Sequence, residues 1–146
     1  MYPGMPAKSK FWAKKKLLFT ISGIKRGDVV IYNMEQNGKK YDMVWRVIGL
    51  PGDKIKIIGT DLYLNDNQIS QVREKETEEH IIFKENNNGS EYLVAYKKKP
   101  DPLKRIDIDI EVPKGSLYLL GDNRDEAWDC RFTGPVTFEQ IIGKKF

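Results

Sequence analysis

The chain has 146 residues and a net charge of +4, and its hydrophobic and charged fractions are 40% and 32%. This length suits one domain with a sizeable core and is short for two, and the apolar content excludes disorder throughout the chain. The excess of positive charge is compatible with an anionic membrane surface, but it is too small to indicate a nucleic-acid-binding protein.

The chain has a single cysteine, Cys130, and a single histidine, His80. One cysteine excludes an intrachain disulfide and a cysteine-based metal cluster, and one histidine excludes a multi-histidine zinc site. We therefore predict no metal and no cofactor, and we interpret His80 as a structural residue.

The sequence contains no apolar run of the ~20 residues that span a bilayer, and its start lacks the pattern of a secretory signal. We expect a soluble chain as written, with a strand at 17–21. The segment before that strand mixes lysines with two aromatic residues, which is typical of a membrane interface and also of a basic loop. Both interpretations stay open for Lys8, Lys10, Phe11, Trp12, Lys14, Lys15 and Lys16.

Apolar residues alternate with a period of two more often than with a helical period, which predicts short strands. In chain order these are 29–32, 41–48, 54–58, 62–64, 68–69, 80–83, 92–96, 106–110 and 117–120. In the strand at 41–48, Met43, Trp45 and Val47 share one face. Residues 71–79 could form one helical turn, and 138–142 either a short helix or a last strand.

The predicted fold is therefore all-β, a closed or partly closed barrel of short antiparallel strands with a β-rich insertion. We expect a single domain over 1–146, in which residues from about 65 to 105 form the insertion. That stretch contains a hairpin signal at 65–67, an acidic run at 74–79, an asparagine-glycine turn at 86–89 and a lysine-proline break at 97–100. We interpret its charge runs as solvated loops.

Three motifs carry most of the functional information. The first is Arg26-Gly27-Asp28-Val29-Val30, the second is Trp45-Arg46-Val47-Ile48-Gly49-Leu50-Pro51-Gly52-Asp53, and the third is Gly121-Asp122-Asn123-Arg124 followed by Asp129-Cys130-Arg131. The Pro-Gly pair of the second motif signals a tight turn, because proline presets its own φ and glycine adopts a positive φ at little cost.

In order and rough spacing, these motifs resemble the sequence boxes of type I signal peptidases (leader peptidases), which are membrane-anchored serine proteases with a Ser/Lys dyad. The resemblance implies a signal-peptidase-like β-barrel at the outer face of the cytoplasmic membrane, with an anchor that we expect outside this sequence. It also implies action on the signal peptides of exported preproteins. The region between the last two boxes varies in size in that family, and here it corresponds to the insertion.

The residues that the resemblance would make catalytic are replaced in this chain. Trp45 stands where the family has its lysine base, and an indole has no acceptor lone pair that could take a proton. Ala127 stands where the family has the serine that orients the lysine, and Cys130 replaces a further serine between Asp129 and Arg131. We expect Trp45 to fill the pocket with aromatic volume, and Asp129 and Arg131 to pair bidentately.

The family's first box, serine-methionine-any residue-proline, matches only Met1 and Pro3, so that its serine would precede Met1. We expect the region around Met1, Pro3, Trp45 and Arg46 to contact substrate. Neither Ser9 nor Ser22 has a comparable setting. A nucleophilic role for Cys130 lacks support, because the only histidine is fifty residues away in the sequence.

Three functions stay open at this point. The first is a signal-peptidase-type protein with a degraded site, a pseudoenzyme that binds signal peptides or an active peptidase partner. The second is an active serine endopeptidase whose serine lies upstream of Met1 and whose base is Lys14, Lys15 or Lys16. The third is a related protease of conjugative transfer, which shares the fold and the dyad.

Overall fold

The computed structural model of the protein describes Pro3 and residues 13–15 and 21–145, of which 13–15 and Ile21 are described through their backbone. Met1, the residues 17–20 of the first predicted strand and Lys16 lie outside this part. The described residues form thirteen strands and one short α-helix. The strands are β1 Ala13–Lys15, β2 Val29–Gln36, β3 Lys39–Gly49, β4 Lys54–Ile58, β5 Asp61–Leu64, β6 Asn67–Gln68, β7 Ser70–Glu76, β8 His80–Asn87, β9 Ser90–Lys97, β10 Ile108–Glu111, β11 Ser116–Leu120, β12 Val136–Thr137 and β13 Ile141–Lys145, and the helix is α1 Cys130–Thr133.

The strands form three antiparallel sheets. A six-stranded sheet has the order β1-β13-β2-β3-β11-β12, a four-stranded sheet has the order β10-β4-β5-β6, and β7, β8 and β9 form a three-stranded meander. The all-β prediction is confirmed. The large sheet is open and does not close into a barrel, because β1 and β12 stand at its two edges among the described residues.

A long hairpin forms the middle of the large sheet. Its register pairs Val29 with Arg46 and Val30 with Trp45, and it runs out to a turn at Asn37 and Gly38, both with positive φ. The turn type suits the right-handed twist of the two strands, which explains the asparagine-glycine pair. On the other edge of β3, pairing with β11 begins at Arg46, which lies opposite Leu120, and continues to Gly49.

The Pro-Gly turn of the second motif connects β3 of the large sheet to β4 of the four-stranded sheet. Gly52 has a φ of 86°, and Asp53 closes the turn by donating its N–H to the Leu50 carbonyl at 3.0 Å. Asn65 and Asp66 both have positive φ, at 51° and 68°, which gives the predicted hairpin between β5 and β6.

The helical turn that residues 71–79 could form is absent, because residues 71–76 belong to strand β7. Its residues pair with β8 in register, Gln71 opposite Glu85 and Val72 opposite Lys84. The segment carries no apolar stripe that a helix could bury, while a strand brings its charges beside those of the neighbour, and Lys84 lies 3.1 Å from Glu74. Glu74 and Glu76 of the acidic run therefore lie in a strand, while Glu78 and Glu79 lie in the turn before β8.

The C-terminal segment combines both predicted forms. A 3₁₀ turn, Phe138–Gln140, leads into β13, which pairs with β2 on one side and with β1 on the other. The core lies between the sheets and includes residues of all three, among them Val30, Val47, Ile55, Leu62, Val94, Leu119 and Ile141. Because the three sheets share this core, the three motifs are held on one framework.

Candidate functional site

Trp45 lies in the large sheet at the place where β3 meets the loop of the third motif. A Cβ atom placed on Gly121 would lie 2.8 Å from Cζ3 of Trp45 and would also overlap the Cβ of Ala127. Gly121 is therefore in contact with both side chains, and only glycine fits between them. Positions 45 and 127, which the sequence resemblance pairs as base and orienting residue, lie together in the structure.

The surroundings of Trp45 are aromatic and buried. Tyr32, which lies two pairs further along the β2–β3 ladder and opposite Met43, is 1% exposed, and its phenol lies next to the indole. Burial, the largest effect, and the nearby Cys130 raise the pKa of Tyr32 above its usual range, while its contact with Trp45 opposes the rise. At neutral pH the phenol is uncharged and cannot replace a basic amine.

The second and third motifs are joined by a bidentate ion pair. Arg46 donates from Nε and Nη2 to the two carboxylate oxygens of Asp122, at 2.8 and 2.7 Å, and from Nη1 to the Gly27 carbonyl at 2.7 Å. Its guanidinium also stacks on the ring of Tyr92, 4.3 Å from the centroid. One arginine thus links all three motifs to the meander.

A second pair joins the first motif to the Pro-Gly turn. Arg26 donates from Nε and Nη2 to Asp53, at 2.9 and 2.7 Å, and Asp53 also accepts from the Leu50 N–H and from Asn65. Burial alone would raise the pKa of Asp53, but these hydrogen bonds together outweigh it and lower the pKa. The carboxylate that caps the turn is therefore ionised over the whole neutral range.

Asp129 organises the loop of the third motif. The predicted pair is present, because Arg131 donates from Nε and Nη2 to Asp129 at 2.9 and 2.8 Å. Asp129 is fully buried and also accepts from the Gly121 N–H at 2.9 Å, and it caps helix α1 through the Arg131 N–H. This carboxylate therefore fixes the glycine that separates Trp45 from Ala127.

Cys130 is a core residue. Its side chain is 2% exposed, and its sulfur accepts from the Leu119 N–H at 3.2 Å. Burial, the largest effect, raises the pKa of the thiol to about 12. Because the thiolate is the reactive form, this environment gives no support to a nucleophile.

The remaining predicted residues have structural contacts. Asp28 binds Lys144 at 2.6 Å, and the side chain of Asn123 binds Glu126 within the loop. His80 is buried at the start of β8. Pro3 lies in a turn, and Met1 lies outside the described residues, so the predicted proximity of the first box to Trp45 stays a prediction. Among the described residues, no group of three or more histidine, cysteine or acidic side chains could hold a metal ion.

Sequence reasoning missed the part of the meander that contacts the motifs. Glu85 binds Arg124 in a fully buried pair, and Ser90 donates to the Arg26 carbonyl at 2.7 Å. Asn87 donates to the Ile48 carbonyl at 3.1 Å. The sequence offers only a weak indication of these contacts, namely polar residues that follow a predicted apolar strand.

The comparison with protein families agrees with the three motifs. A family described as "Signal peptidase, peptidase S26" matches residues 1–146. The chain belongs to this signal peptidase family. It is 33% identical over 137 residues to signal peptidase I of Bacillus caldolyticus, covering 88% of this chain and 63% of that protein. It is 36% identical over 133 residues to signal peptidase I of Rickettsia canadensis (strain McKiel), covering 82% and 49%.

The chain thus spans about half to two thirds of the length of these curated signal peptidases. Its fold is similar to the crystal structure of a signal peptidase I from Enterococcus faecalis V583, with a TM-score of 0.51 and 23% identity, over 84% of this chain and 96% of that chain. In the described part of this signal-peptidase chain, the helices are too short or too polar to cross a bilayer.

Proposed function

We propose that this chain is a signal-peptidase-type protein that binds the extended end of a signal peptide and whose proteolytic centre is impaired. The observation that carries the proposal is the contact of Trp45 and Ala127 with the same glycine. These are the two positions at which the family resemblance expects an amine and a hydroxyl. An indole and a methyl group in contact there supply neither a base nor a hydrogen bond to orient one.

The large sheet offers an edge for such a peptide. Strand β3 pairs with β2 from Lys39 to Arg46, but β11 covers the other edge of β3 only from Arg46 onward. Among the described residues, no strand pairs with the edge at 39–45. An extended peptide could add to this edge through main-chain hydrogen bonds and present alternate side chains to pockets. Such binding does not need the catalytic pair.

The alternative of an active endopeptidase has less support. It needs another lysine as base, and Lys14 and Lys15 lie in β1, which is separated from β3 by β13 and β2. With strands about 4.8 Å apart, their backbones stand about 14 Å from β3 across the sheet, which is beyond the reach of a lysine side chain. Loss of a catalytic base costs many orders of magnitude in rate.

The decisive test uses a chain that carries the expected serine before Met1, incubated with a preprotein. We expect no processing with the natural residues at 45 and 127, and measurable processing after the double change Trp45→Lys and Ala127→Ser. The matched control, Trp45→Phe with Ala127→Ser, makes the same space without an amine and should stay inactive. Processing by the unchanged chain that disappears when the serine is replaced would overturn the impaired centre.

Peptide binding is measured separately, with a fluorescent signal-peptide segment and its backbone N-methylated analogue. We expect the segment to bind and the analogue to bind more weakly, because N-methylation removes the donors that pair with a strand edge. Equal binding of the two peptides would contradict the β3 edge as the site. Association with signal peptides, a membrane surface or a peptidase partner is part of this proposal, and its support is the family resemblance.

A further inference from the structure

The meander contacts each of the three motifs at a different point. Ser90 binds the Arg26 carbonyl, and the ring of Tyr92 lies under Arg46. At the third motif, the Ala95 N–H donates to the Asp122 carbonyl at 2.8 Å and the Arg124 N–H donates to the Ala95 carbonyl at 2.9 Å. A segment that carries none of the motifs is thus attached to all of them.

The strongest of these attachments is an ion pair without access to water. Arg124 donates from Nη1 and Nη2 to Glu85 at 2.8 and 2.5 Å, and the two residues are 3% and 0% exposed. Glu85 also accepts from Gln71, its partner across the sheet, at 2.8 Å, and Arg124 donates to the Tyr96 hydroxyl at 3.1 Å. Strands β8 and β9 of the meander therefore bind one guanidinium of the motif loop, and β7 supports Glu85 through Gln71.

A fully buried pair contributes little net stability, because removing two charges from water offsets their attraction, and apolar residues of similar size often serve as well. Its geometric effect is stronger. A bidentate pair fixes both the position and the plane of the guanidinium. Glu85 is thus better suited to set the position of Arg124 than to stabilise the fold.

Contacts lead from this arginine to Trp45 without a gap. The Arg124 carbonyl accepts from Arg131 at 2.6 Å, and Arg131 pairs with Asp129. Asp129 holds the Gly121 N–H at 2.9 Å, and Gly121 touches Trp45. Each step is a hydrogen bond or a van der Waals contact between buried or half-buried groups.

We propose that Glu85 is a positioning residue, which acts through Arg124 to hold the Gly121–Arg131 loop against Trp45. The meander, which sequence analysis treats as an insertion, is then part of the site's framework. A role of Glu85 in peptide binding rests on the proposed function. The role of Glu85 in positioning the loop is independent of it.

The test uses the full chain with Trp12→Phe and Trp128→Phe, which leaves Trp45 as the only tryptophan of the three. Acrylamide quenching then reports how well the loop covers the indole. For Glu85→Gln we expect quenching to rise about twofold or more, with the β-sheet circular dichroism retained, because the loop opens locally. The matched control is Glu76→Gln, in the same meander, whose partner Arg73 is exposed, and it should leave quenching unchanged.

Glu85→Gln leaves an unpaired buried arginine and can unfold the chain for that reason alone. The double variant Glu85→Gln with Arg124→Met removes both charges and should fold, again with a more accessible Trp45. Quenching equal to the parent in either folded variant would overturn the proposal. Loss of the fold in both variants would also overturn it, since a positioning role requires that the remaining structure forms without the pair.

Peptide affinity gives an independent result. If the proposed function holds, the double variant should bind the signal-peptide segment several-fold more weakly than the Glu76→Gln control. If the parent binds no peptide at all, the proposed function fails while the quenching result still decides the role of Glu85.

Discussion

At the scale of single residues, Gly121 marks the most constrained point of the candidate site. Its backbone separates Trp45 from Ala127, and any side chain there would collide with both. The indole of Trp45 and the methyl group of Ala127 fill the volume beside Gly121. The role of these residues in binding stays a prediction.

We predict that Gly121→Ala destabilises the protein by about 1–3 kcal/mol, because the added methyl group overpacks a closed contact. Ala127→Gly in the same chain removes the nearer of the two colliding groups and should recover part of the loss. Urea unfolding of the two single variants and the double variant gives the coupling between the positions. Additive effects would contradict the contact between Gly121 and Ala127.

The sequence could predict the individual positions but not all of their partners. The alternation in 41–48 and the motif resemblance placed Trp45 on a strand and Asp129 beside Arg131, and both features are present. The partner of Arg124 could not be predicted, because Glu85 comes from a segment without a motif, 39 residues away. Pairing between distant strands depends on tertiary register, which single-sequence patterns do not contain.

At the scale of elements, the turns were predictable because they depend on local chemistry, whereas most strand ends differ from the prediction by one to four residues. The Pro-Gly turn, the asparagine turns and the limits of β4 follow from residues that favour positive φ or alternate in polarity. Strand β7 was not predictable in this way. Its charged residues are stabilised by their neighbours across the sheet, and a segment with an exposed face carries little apolar pattern.

The turn of the second motif gives a prediction for the dependence of stability on pH. The pKa of Asp53 is lowered in the folded state, so the ionised carboxylate stabilises the fold above the pKa of an unfolded aspartate, about 3.9, and this contribution is lost as pH falls below that value. We expect Asp53→Asn to cost about 2 kcal/mol at pH 7, as for a hydrogen bond to a charged group.

The cost of Asp53→Asn should shrink as the pH falls below about 4, because the parent loses its carboxylate there. Urea unfolding between pH 7 and pH 2.5 measures the difference between the two chains. The matched control is Asp66→Asn, which removes a carboxylate from the nearby exposed hairpin, and its cost is subtracted at each pH. A difference for Asp53→Asn that stays constant down to pH 2.5 would contradict the lowered pKa.

At the scale of the whole molecule, the meander and the large sheet share a core. Buried residues of the meander, such as Val94 and Tyr96, pack in the same cluster as Val47 and Leu119 of the large sheet. The division of the chain into a domain with a variable insertion at about 65–105 stays a prediction. The packing favours one cooperative unit in which that segment participates.

We therefore predict that β8 and β9 exchange their amide hydrogens with the same protection as β2 and β3, in a single global unfolding event. Hydrogen exchange followed by mass spectrometry compares peptides from residues 80–97 with peptides from 29–36. The turn at Asn37 and Gly38 serves as an internal reference that should exchange rapidly, because it is exposed. Protection of 80–97 that is lower by orders of magnitude would indicate a separately unfolding insertion.

The ion pairs that the arginines of the motifs form also affect the expected rate of folding. Arg26, Arg46 and Arg124 bind carboxylates 27, 76 and 39 residues away, and each pair joins a loop to a distant strand or to a second loop. Contacts this remote require large loops to close before they contribute, which slows folding. We therefore expect a newly made chain to bring its sheets together while these charges are still hydrated, with the pairs forming late.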